Sequence, residues 1–533
     1  MKNFRFYALF FIFVGLFGAL GVNLYNLQIL QGKDFVAKAD VMKKLAAELE
    51  LRRGQIFITD RFNASISVAL NKDEPIIFVA PSEIKDSQKV SEELSGIVGM
   101  SANELKDIID SNPESYFRVL VDKATDEQVN SVGEKKLEGV HVETKQYRSY
   151  PYENLASQVV GYVGKNEENP EPAGIYGIER FYNDVLSQGE DVHLTIDRNI
   201  QSHAEQILGK LIEKFQATGG TIIVEDPKTG KILTLTNKPD FNPNEYGKSR
   251  LQDFMNPAVQ SQYEPGSVFK PLTMAAGIDT DAFTPDTEFT DKGSVTLNGK
   301  TIHNANNKVY GKITMTGIIE NSVNTGAVYA EQLVGHKTFY EYLKKFGFTE
   351  KTEISLPEEI AGNIRNLERK DVRAIDFATV AFGQGAAVTP LQFINAFSVF
   401  ANGGVLMRPY INTNEEPSVV RRVISEDTAK KVTSMIESTV EKAKIASIPQ
   451  YRVAGKTGTA YIPEMGKYSD QMIHTFVGFA PVSDPKFVIL VKLDRPQVGE
   501  LAGLTVVPAF RELSEYILNY YNIAPDKAEK NIN

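Results

Sequence analysis

The sequence predicts an α+β protein with a transmembrane helix at its N-terminus, a mixed α/β segment after it and a larger C-terminal α+β domain. Three observations support this prediction. The chain begins with a long apolar run, continues with short mixed segments, and ends with helical segments enclosed between two β-rich clusters. Strands at both ends of a domain, with helices between them, predict a sheet that joins the two ends.

The N-terminal segment has the composition of a transmembrane helix. No charged residue occurs in the range Phe6–Gly32, and the run Phe6–Val22 is close to the length that crosses a bilayer. Because Lys2 and Arg5 precede this run, the positive-inside rule predicts a cytoplasmic N-terminus and an extracytoplasmic remainder. A cleaved signal peptide is the alternative, since Ala19–Gly21 resembles a cleavage site, but the apolar run is longer than most signal-peptide cores.

The bulk composition limits the number of domains and the kinds of partner. A chain of 533 residues exceeds the roughly 150 residues of a typical domain, which predicts two to four units. The formal net charge of -10 argues against a nucleic-acid partner, because no broad basic surface is available to neutralise phosphates. The absence of cysteine excludes disulfides, iron-sulfur clusters and thiolate zinc sites. We place the anchor at residues 1–32, the mixed segment at 33–190, the C-terminal domain at 191–525 and a tail at 526–533.

The tripeptide Lys-Thr-Gly occurs twice, in two different contexts. The first copy, Lys228 to Gly230, follows Asp-Pro between two β-rich runs, so it is predicted to form a hairpin turn with Gly230 at positive φ. The second copy, Lys456 to Gly458, has no Asp-Pro before it and stands in a strand-like run. Gly455 and Gly458 are predicted to expose a strand edge on which an extended substrate can lie.

The stretch QYEPGSVFKPLTMAAG contains Ser267 and, three residues later, Lys270. Pro271 is well tolerated only near a helix start, so a helix is predicted to begin close to Ser267. Residues i and i+3 share a helix face, which places the Lys270 amine one turn from the Ser267 hydroxyl. A lysine with a lowered pKa can activate a serine nucleophile. The same spacing at Ser82 and Lys85 lies in a polar segment and is interpreted as a solvated helix start.

Two further elements complete a catalytic pattern. Ser322 and Asn324 stand two residues apart, 55 residues after Ser267, and Lys456 follows Ser267 by 189 residues. The elements S-x-x-K, Ser-x-Asn and K-T-G, in this order, form the motif set of penicillin-binding proteins and class A β-lactamases.

Over nearly its whole length the chain resembles the class B penicillin-binding proteins, and it is most similar to their division-specific, FtsI-like branch. The resemblance rests on EPGSVFKP, GQGAAVTPLQFINAFSVFANGG, VAGKTGTA, HTFVGFAPVSDPKFVILV and PAFRELSEYILNYYNIAPD. The family's RGxIxDRNG appears here as RGQIFITDRFN, with two extra residues and without the final Gly, and the segment GIERFYNDVLSQGEDVHLTID is shorter than in the family. Both departures concern the segment before the C-terminal domain and leave the catalytic pattern intact.

The resemblance implies a dimerisation-type pedestal domain at 33–190 and a transpeptidase domain at 191–525, with an antiparallel sheet flanked by helices. It implies that Ser267, activated by Lys270, attacks a peptidoglycan stem peptide ending in D-Ala-D-Ala. The backbone N–H groups of Ser267 and Thr459 would form the oxyanion hole.

The resemblance also assigns roles to the remaining residues of the pattern. Ser322 and Lys456 would relay a proton to the leaving amine, and Asn324 would hold the peptide. Thr457, Gly458 and Thr459 would bind substrate, with the two threonine hydroxyls on the terminal carboxylate. An amine from a neighbouring stem peptide would then form the cross-link, while β-lactams would stop at the acyl-enzyme.

The implied partners are peptidoglycan stem peptides, β-lactams, a SEDS-type glycosyltransferase and other divisome membrane proteins, with no cofactor and no metal. Septal cell-wall synthesis is the expected role. The alternatives are an elongation-type transpeptidase and a catalytically idle β-lactam sensor or scaffold. A Ser-His-Asp hydrolase fits poorly because Ser267 does not stand in a G-x-S-x-G motif, and a β-lactamase would need neither an anchor nor a pedestal.

Overall fold

The computed structural model describes residues 2–31, 53–165, 172–464, 466–499 and 501–527. The last residue of the predicted anchor, the start of the predicted mixed segment, at residues 33–52, and most of the predicted tail, from residue 528, lie outside the described residues.

The N-terminal part of the described chain is one long helix followed by short strands and helices. These elements are α1 Lys2–Tyr25, β1 Ile56–Thr59, β2 Ile66–Val79, α2 Ser87–Val98, α3 Ala102–Asp110, β3 Arg118–Val121, α4 Asp126–Lys135, β4 Val140–Ser149, α5 Ser157–Val160, β5 Val163–Gly164, β6 Ala173–Gly174, α6 Gly177–Phe181, α7 Asn183–Ser187 and β7 Val192–Asp197.

The C-terminal part has longer apolar elements. These are α8 Arg198–Phe215, β8 Gly219–Glu225, β9 Ile232–Lys238, α9 Pro257–Gln260, α10 Lys270–Asp279, β10 Glu288–Asp291, β11 Ser294–Leu297, β12 Lys300–His303, β13 Gly311–Thr314, α11 Met315–Asn321, α12 Asn324–Val334, α13 His336–Lys345, α14 Ala374–Val380, α15 Pro390–Ala401, β14 Val405–Met407, β15 Val419–Arg422, α16 Glu426–Ala443, β16 Ala454–Glu464, β17 Lys467–Ala480, β18 Phe487–Asp494 and α17 Ala502–Tyr520.

Helix α1 is long and apolar enough to cross a membrane. The span Phe6–Leu30 comprises 25 residues with a mean hydropathy of 2.0, and none of it is buried inside the protein. At 1.5 Å per residue it exceeds the roughly 30 Å of a bilayer's hydrocarbon core. Exposed phenylalanines such as Phe6 and Phe17 are unfavourable in water and favourable in lipid. The helix therefore suggests single-pass membrane anchoring.

The chain divides into two compact units, Met1–Arg53 with Asn71–Ser149, and Gly54–Leu70 with Tyr150–Asn533. In the first unit, apolar residues of β2 such as Ile77 pack with the apolar faces of α2 and α3, for example Leu94 and Leu105. The domain boundaries proposed from the sequence stay predictions.

The central sheet of the second unit has the strand order β16-β17-β18-β8-β9. Every neighbouring pair is antiparallel. Strand β8 near the start of this part of the chain pairs with β18 near its end, with Ile223 opposite Leu490. The predicted sheet that joins the two ends of the domain is therefore confirmed.

Helices cover both faces of this sheet, which explains why its strands are apolar on both sides. On one face, α8 and α17 pack on the sheet, and the rings of Phe476 and Phe510 lie 4.6 Å apart. On the other face, Phe397 of α15 packs against Phe479 with ring centroids 6.4 Å apart. Edge strand β16 therefore rests on a rigid, fully packed core.

The carboxylate of Glu225 is buried in this core. Glu225, at the end of β8, is 0% exposed, and neither carboxylate oxygen has a hydrogen-bond partner within the described residues. The hydroxyl of Ser398 lies close by but donates to Ile394 O at 3.0 Å. Burial raises the pKa of Glu225 to about 8, against a smaller lowering effect of Ser398.

Glu225 is therefore expected to make the folded state less stable as pH rises. Between the ordinary glutamate pKa of 4.5 and about 8, the unfolded chain ionises this carboxyl while the folded chain keeps it neutral. The resulting loss of unfolding free energy at pH 8 is roughly 4 kcal/mol. Glu225→Gln should remove it, so the variant's melting temperature should rise relative to the parent between pH 5 and pH 8. The exposed control Glu213→Gln should show no such change, and parallel profiles for parent and Glu225→Gln would contradict the assignment.

Candidate active site

Ser267 lies in a single 3₁₀ turn, Gly266–Phe269, that runs directly into α10. The α-helix begins at Lys270, and Pro271 occupies its first turn, where a missing N–H group costs no hydrogen bond. The prediction that a helix begins close to Ser267 is confirmed. Ser267 is half-buried, whereas Lys270 is fully buried.

The Lys270 amine reaches from this helix to the segment that contains Ser322 and Asn324. It lies 2.5 Å from Ser322 O, 3.1 Å from Ser322 Oγ and 2.8 Å from Asn324 Oδ1. Within the described residues these are its hydrogen-bond partners, and the Ser267 hydroxyl is not among them. Hydrogen bonds to a nucleophile are often long before substrate is bound, so this arrangement leaves Lys270 available as a base.

The second lysine of the pattern approaches the same serine. Lys456 is 1% exposed, and its amine lies 3.1 Å from Ser322 Oγ and 3.1 Å from Thr457 O. The Ser322 hydroxyl is thus shared by the amines of Lys270 and Lys456. A hydroxyl can both donate and accept, so Ser322 can carry a proton between the two amines.

Burial controls the protonation of both amines. Burial lowers the pKa of Lys270 well below its usual value, and repulsion from Lys456 lowers it further. Burial lowers the pKa of Lys456 to about 7. A neutral Lys270 amine has two N–H groups and a lone pair. It can therefore donate its N–H groups to the surrounding oxygens and keep the lone pair for a proton.

The backbone around Ser322 fixes the positions of these groups. Ser322 ends α11 in the left-handed region, with φ of 56°, a conformation that non-glycine residues adopt rarely. Asn324 opens α12, and its side-chain N–H group donates to His303 O at 2.9 Å. Both residues are therefore held in place before substrate arrives.

A buried carboxylate, which the sequence did not single out, supports this segment. Asp291 accepts hydrogen bonds from Gly293 N, Tyr310 N, Asn304 Nδ2 and Thr325 Oγ1, at 2.6 to 2.9 Å. Burial alone would raise the pKa of Asp291, but these four hydrogen bonds outweigh it and lower the pKa. These partners lie up to 34 residues from Asp291 in the chain, and their spacing in the sequence forms no recognisable motif.

The two glycines of the second Lys-Thr-Gly region lie on strand β16. Both are buried. A Cβ atom on Gly458 would lie 2.7 Å from Pro265 O, and one on Gly455 would lie 2.5 Å from the Phe476 ring. Strand β16 is an edge strand, as predicted, and the two glycines permit close packing against the Ser267 turn and the neighbouring strand.

Close packing brings the nucleophile turn alongside edge strand β16. Gly266 has φ of +64°, and a Cβ atom there would lie 3.1 Å from Thr459 O. Thr457 and Thr459 are half-buried, on the strand that also carries Lys456. The fold therefore gathers the predicted residues into one region, namely Ser267, Lys270, Ser322, Asn324, Lys456, Thr457, Gly458 and Thr459.

The first Lys-Thr-Gly copy is a hairpin turn between β8 and β9, as predicted. Gly230 has φ of +81°, and the Asp226 side chain accepts hydrogen bonds from Lys228 N and Thr229 Oγ1, each at 2.9 Å. The Lys228 amine forms an ion pair with Asp484, and its side chain is 49% exposed. These contacts stabilise the turn and lie outside the region around Ser267.

The second S-x-x-K copy also differs from the Ser267 region. Ser82 lies in the short 3₁₀ helix Pro81–Glu83, and the Lys85 side chain is 82% exposed. Its amine pairs with Glu138 at 2.7 Å, which raises the pKa of Lys85. A charged, exposed lysine cannot act as a base near neutral pH, so the predicted solvated helix start is confirmed.

Comparison with protein families finds a matching domain family for each of the two parts of the chain. Residues 220–515 match the penicillin-binding protein transpeptidase domain, and residues 49–224 match the penicillin-binding protein dimerisation domain.

Named relatives extend over nearly the whole chain. Stage V sporulation protein D of Bacillus subtilis is 30% identical over 97% of this chain and 86% of its own length. The probable peptidoglycan D,D-transpeptidase PbpC of Pseudomonas aeruginosa is 28% identical over 99% of this chain and 97% of its own length.

A solved structure agrees with these matches. The crystal structure of penicillin-binding protein 3 from Mycobacterium tuberculosis aligns with a TM-score of 0.66 and 29% identity, over 72% of this chain and 92% of that chain. The motif order, the antiparallel sheet and the matched domains agree with one another, and they confirm the resemblance inferred from the sequence. The chain therefore belongs to the penicillin-binding protein transpeptidase family, as a class B, FtsI-like member.

Proposed function

We propose that this protein cross-links peptidoglycan as a D,D-transpeptidase that acts through an acyl-enzyme on Ser267. The observation that supports this most strongly is the pair of buried lysine amines, both within 3.1 Å of Ser322 Oγ, beside the half-buried Ser267 turn. Burying two amines destabilises their charged forms and lowers their pKa values. Lysines with such lowered pKa values cluster at functional sites. A catalytically idle β-lactam sensor or scaffold is the alternative, and it would have no need of this cluster.

In the first half-reaction, Ser267 Oγ attacks the carbonyl carbon of the penultimate D-alanine, and Lys270 Nζ takes the hydroxyl proton. The backbone N–H groups of Ser267 and Thr459 stabilise the oxyanion, each contributing roughly 3 kcal/mol. The C–N bond then breaks, and Ser322 Oγ gives its proton to the leaving D-alanine amine. Lys456 returns a proton to Ser322. Asn324, Thr457 and Thr459 hold the peptide and its terminal carboxylate.

In the second half-reaction, the amine of a neighbouring stem peptide attacks the acyl-enzyme carbonyl and loses a proton, which passes through Ser322 Oγ to Lys456. The ester C–O bond then breaks, and Lys270 returns its proton to Ser267 Oγ. Water in place of that amine would give a D,D-carboxypeptidase side reaction. A β-lactam ring, opened by Ser267, leaves no departing group to make room for the acceptor, and the protein stays acylated. Septal cell-wall synthesis during division is the role that we infer from the FtsI-like family membership.

The experiment that tests this proposal is mapping of the covalent adduct. After penicillin treatment of the full-length protein, intact-mass measurement should show one adduct. Peptide mapping should place it on the peptide that contains Ser267. An adduct on Ser82 or Ser322, or no adduct at all, would contradict the proposal.

The two Lys-Thr-Gly copies are expected to respond oppositely to substitution. Lys456→Ala removes a buried amine next to Ser322 and should slow penicillin acylation about 100-fold to 10,000-fold. Lys228→Ala removes a half-exposed ion pair with Asp484, worth about 0 to 1 kcal/mol, and should leave the acylation rate within about twofold. Stopped-flow or gel-based acylation kinetics would measure both, and equal losses would mean that the first copy also contributes to catalysis.

We also propose a cytoplasmic N-terminus, with everything after α1 on the outer side of the membrane. Lys2 and Arg5 before the apolar span favour this orientation. Protease added to intact spheroplasts should digest the protein beyond residue 53 while a tag at the N-terminus stays protected. Protection of the C-terminal domain would reverse the orientation, and a shortened soluble form beginning near Val22 would indicate a cleaved signal.

We also propose that a partner protein polymerises the glycan strands, because the two matched domains would supply transpeptidation alone. We infer that a SEDS-type glycosyltransferase and other divisome membrane proteins contact the protein through α1. Photo-crosslinkers placed along α1 should capture a polytopic membrane protein, whereas crosslinks to lipid alone would count against this contact.

A further inference from the structure

Glu264 joins three segments around the nucleophile. It stands three residues before Ser267, and one carboxylate oxygen accepts a hydrogen bond from Gly385 N at 2.9 Å. The other oxygen accepts a hydrogen bond from the Tyr468 hydroxyl, also at 2.9 Å. Gly385 belongs to the loop after α14, and Tyr468 lies near the start of β17. The mechanism proposed above does not use this carboxylate.

Elsewhere, the Ser267 turn, the loop after α14 and the β16–β17 hairpin approach one another closely at glycines. Gly266 N donates to Gly383 O at 3.0 Å, and a Cβ atom on Gly383 would lie 2.2 Å from Gly266 O. Gly458 of β16 packs in the same way on Pro265 O. These contacts hold the turn against the part of β16 that lies in the central sheet, where the residues from Ala454 to Tyr461 pair with β17.

The Glu264–Tyr468 hydrogen bond supplies a second point of attachment. Tyr468 pairs with Pro463, which is five residues beyond Gly458 along β16. At about 3.3 Å per residue, the two points lie roughly 16 Å apart along the hairpin. Strand β18 pairs with β17 from Ile473 to Ala480, so Tyr468 lies in an extension of the hairpin beyond this pairing. The Glu264 hydrogen bond ties this extension to the Ser267 turn. A hydrogen bond to a carboxylate is about twice as strong as one between neutral groups, so it can hold the hairpin against the turn.

We propose that Glu264 is a positioning residue that holds the β16–β17 hairpin, through Tyr468, at a fixed distance from Ser267. Thr459 pairs with His474, one residue from Ile473, where the pairing of β17 with β18 ends. A displacement of the extension therefore moves Thr459, the proposed oxyanion donor, relative to the nucleophile. This inference rests on the proposed acyl-transfer function. It predicts that loss of the hydrogen bond slows the chemical step more than it weakens reversible binding, because a displacement of about 1 Å costs up to about 100-fold in rate.

The chain offers a matched pair of tyrosines for the test. Tyr468 is 49% exposed and hydrogen-bonds to Glu264, whereas Tyr461, on the adjacent strand, is 48% exposed and does not. Tyr468→Phe in the full-length protein should lower the limiting penicillin acylation rate about 10-fold, with the dissociation constant of the reversible complex and the melting temperature nearly unchanged. Tyr461→Phe should match the parent in all three measurements.

A double-mutant cycle separates positioning from general destabilisation. Glu264→Met offers at most a weak acceptor to Gly385 N and to the Tyr468 hydroxyl, whereas a glutamine could donate its own N–H to the tyrosine. Glu264→Met should therefore slow acylation at least as much as Tyr468→Phe, and the double variant should be no slower than Glu264→Met alone. Additive losses, a parent-like rate for Tyr468→Phe, or equal losses for the two tyrosine variants would overturn the inference.

Amide hydrogen exchange gives a readout that does not depend on acylation. Exchange of the hairpin residues 461–472 should be several-fold faster in Glu264→Met and Tyr468→Phe than in the parent and in Tyr461→Phe. Unchanged exchange would overturn the inference even if Ser267 were acylated normally. Conversely, a parent protein that is not acylated at Ser267 would contradict the proposed function, while faster hairpin exchange in the two variants would still support the attachment.

Discussion

Replacing Ser267 with alanine is expected to abolish covalent labelling by a fluorescent penicillin. Ser267 stands in the 3₁₀ turn that leads into Lys270, beside the strand that carries Lys456, and its hydroxyl is the group that we propose to be acylated. Alanine lacks that oxygen but fits the same helical turn, so the fold should persist. Labelling should fall to background in the full-length protein, while the melting temperature should stay close to that of the parent.

The chain contains its own control for this experiment. Ser82 has the same spacing to a lysine, but Lys85 is exposed and paired with Glu138. Ser82→Ala should therefore label like the parent. Residual labelling of Ser267→Ala at the parental rate would show that another residue is acylated and would remove the basis of the proposed mechanism.

Lys270→Arg is expected to have the second-largest effect. Arginine stays protonated near neutral pH and cannot accept the Ser267 proton, so acylation should slow about 100-fold to 10,000-fold. Because Lys270 is fully buried, a permanent charge there is expected to be destabilising. Lys270→Met, which is neutral and similar in length, therefore accompanies it and should lose acylation to a similar extent. Lys85→Arg, at the exposed S-x-x-K copy, should have no effect.

The pH dependence of the parent provides an independent check on Lys270. Burial and Lys456 lower the pKa of Lys270, so the amine becomes a base at a pH well below the ordinary lysine value of 10.5. The acylation rate should therefore rise with pH along a limb that ends far below pH 10. This limb should be absent from Lys270→Met. Acylation of Lys270→Met at the parental rate would mean that the base must be sought elsewhere.

The local features of the site could be predicted from sequence because short-range physics decides them. Pro271 is tolerated only in the first turn of a helix, which fixed the helix start near Ser267. Asp226, Pro227 and Gly230 favour a tight turn wherever they stand between two β-rich runs, and they form one here. The order of the three motifs pointed to the same family that the comparisons show.

The contacts of the site residues could not be predicted in the same way. The spacing placed Lys270 one turn from Ser267 but did not predict that its amine also contacts Ser322 and Asn324, more than 50 residues away in the chain. Strand β16 was expected at a sheet edge, and it is one, but the burial of Gly458 against Pro265 was not predicted. Both outcomes depend on which distant segments the fold brings into contact. A single sequence does not state the distances between such segments.

The sequence alone determined the apolar N-terminal helix, the sheet that joins both ends of the C-terminal domain, and the residue types that carry the proposed chemistry. These follow from composition, periodicity and local turn preferences. Only the tertiary structure decided the depth at which Lys270 and Lys456 are buried, the sharing of Ser322 Oγ between them, and the hydrogen bonds of Asp291 and Glu264. The physical reason is that a pKa and a hydrogen bond depend on solvent exclusion and on distances of a few ångströms, which long-range packing sets.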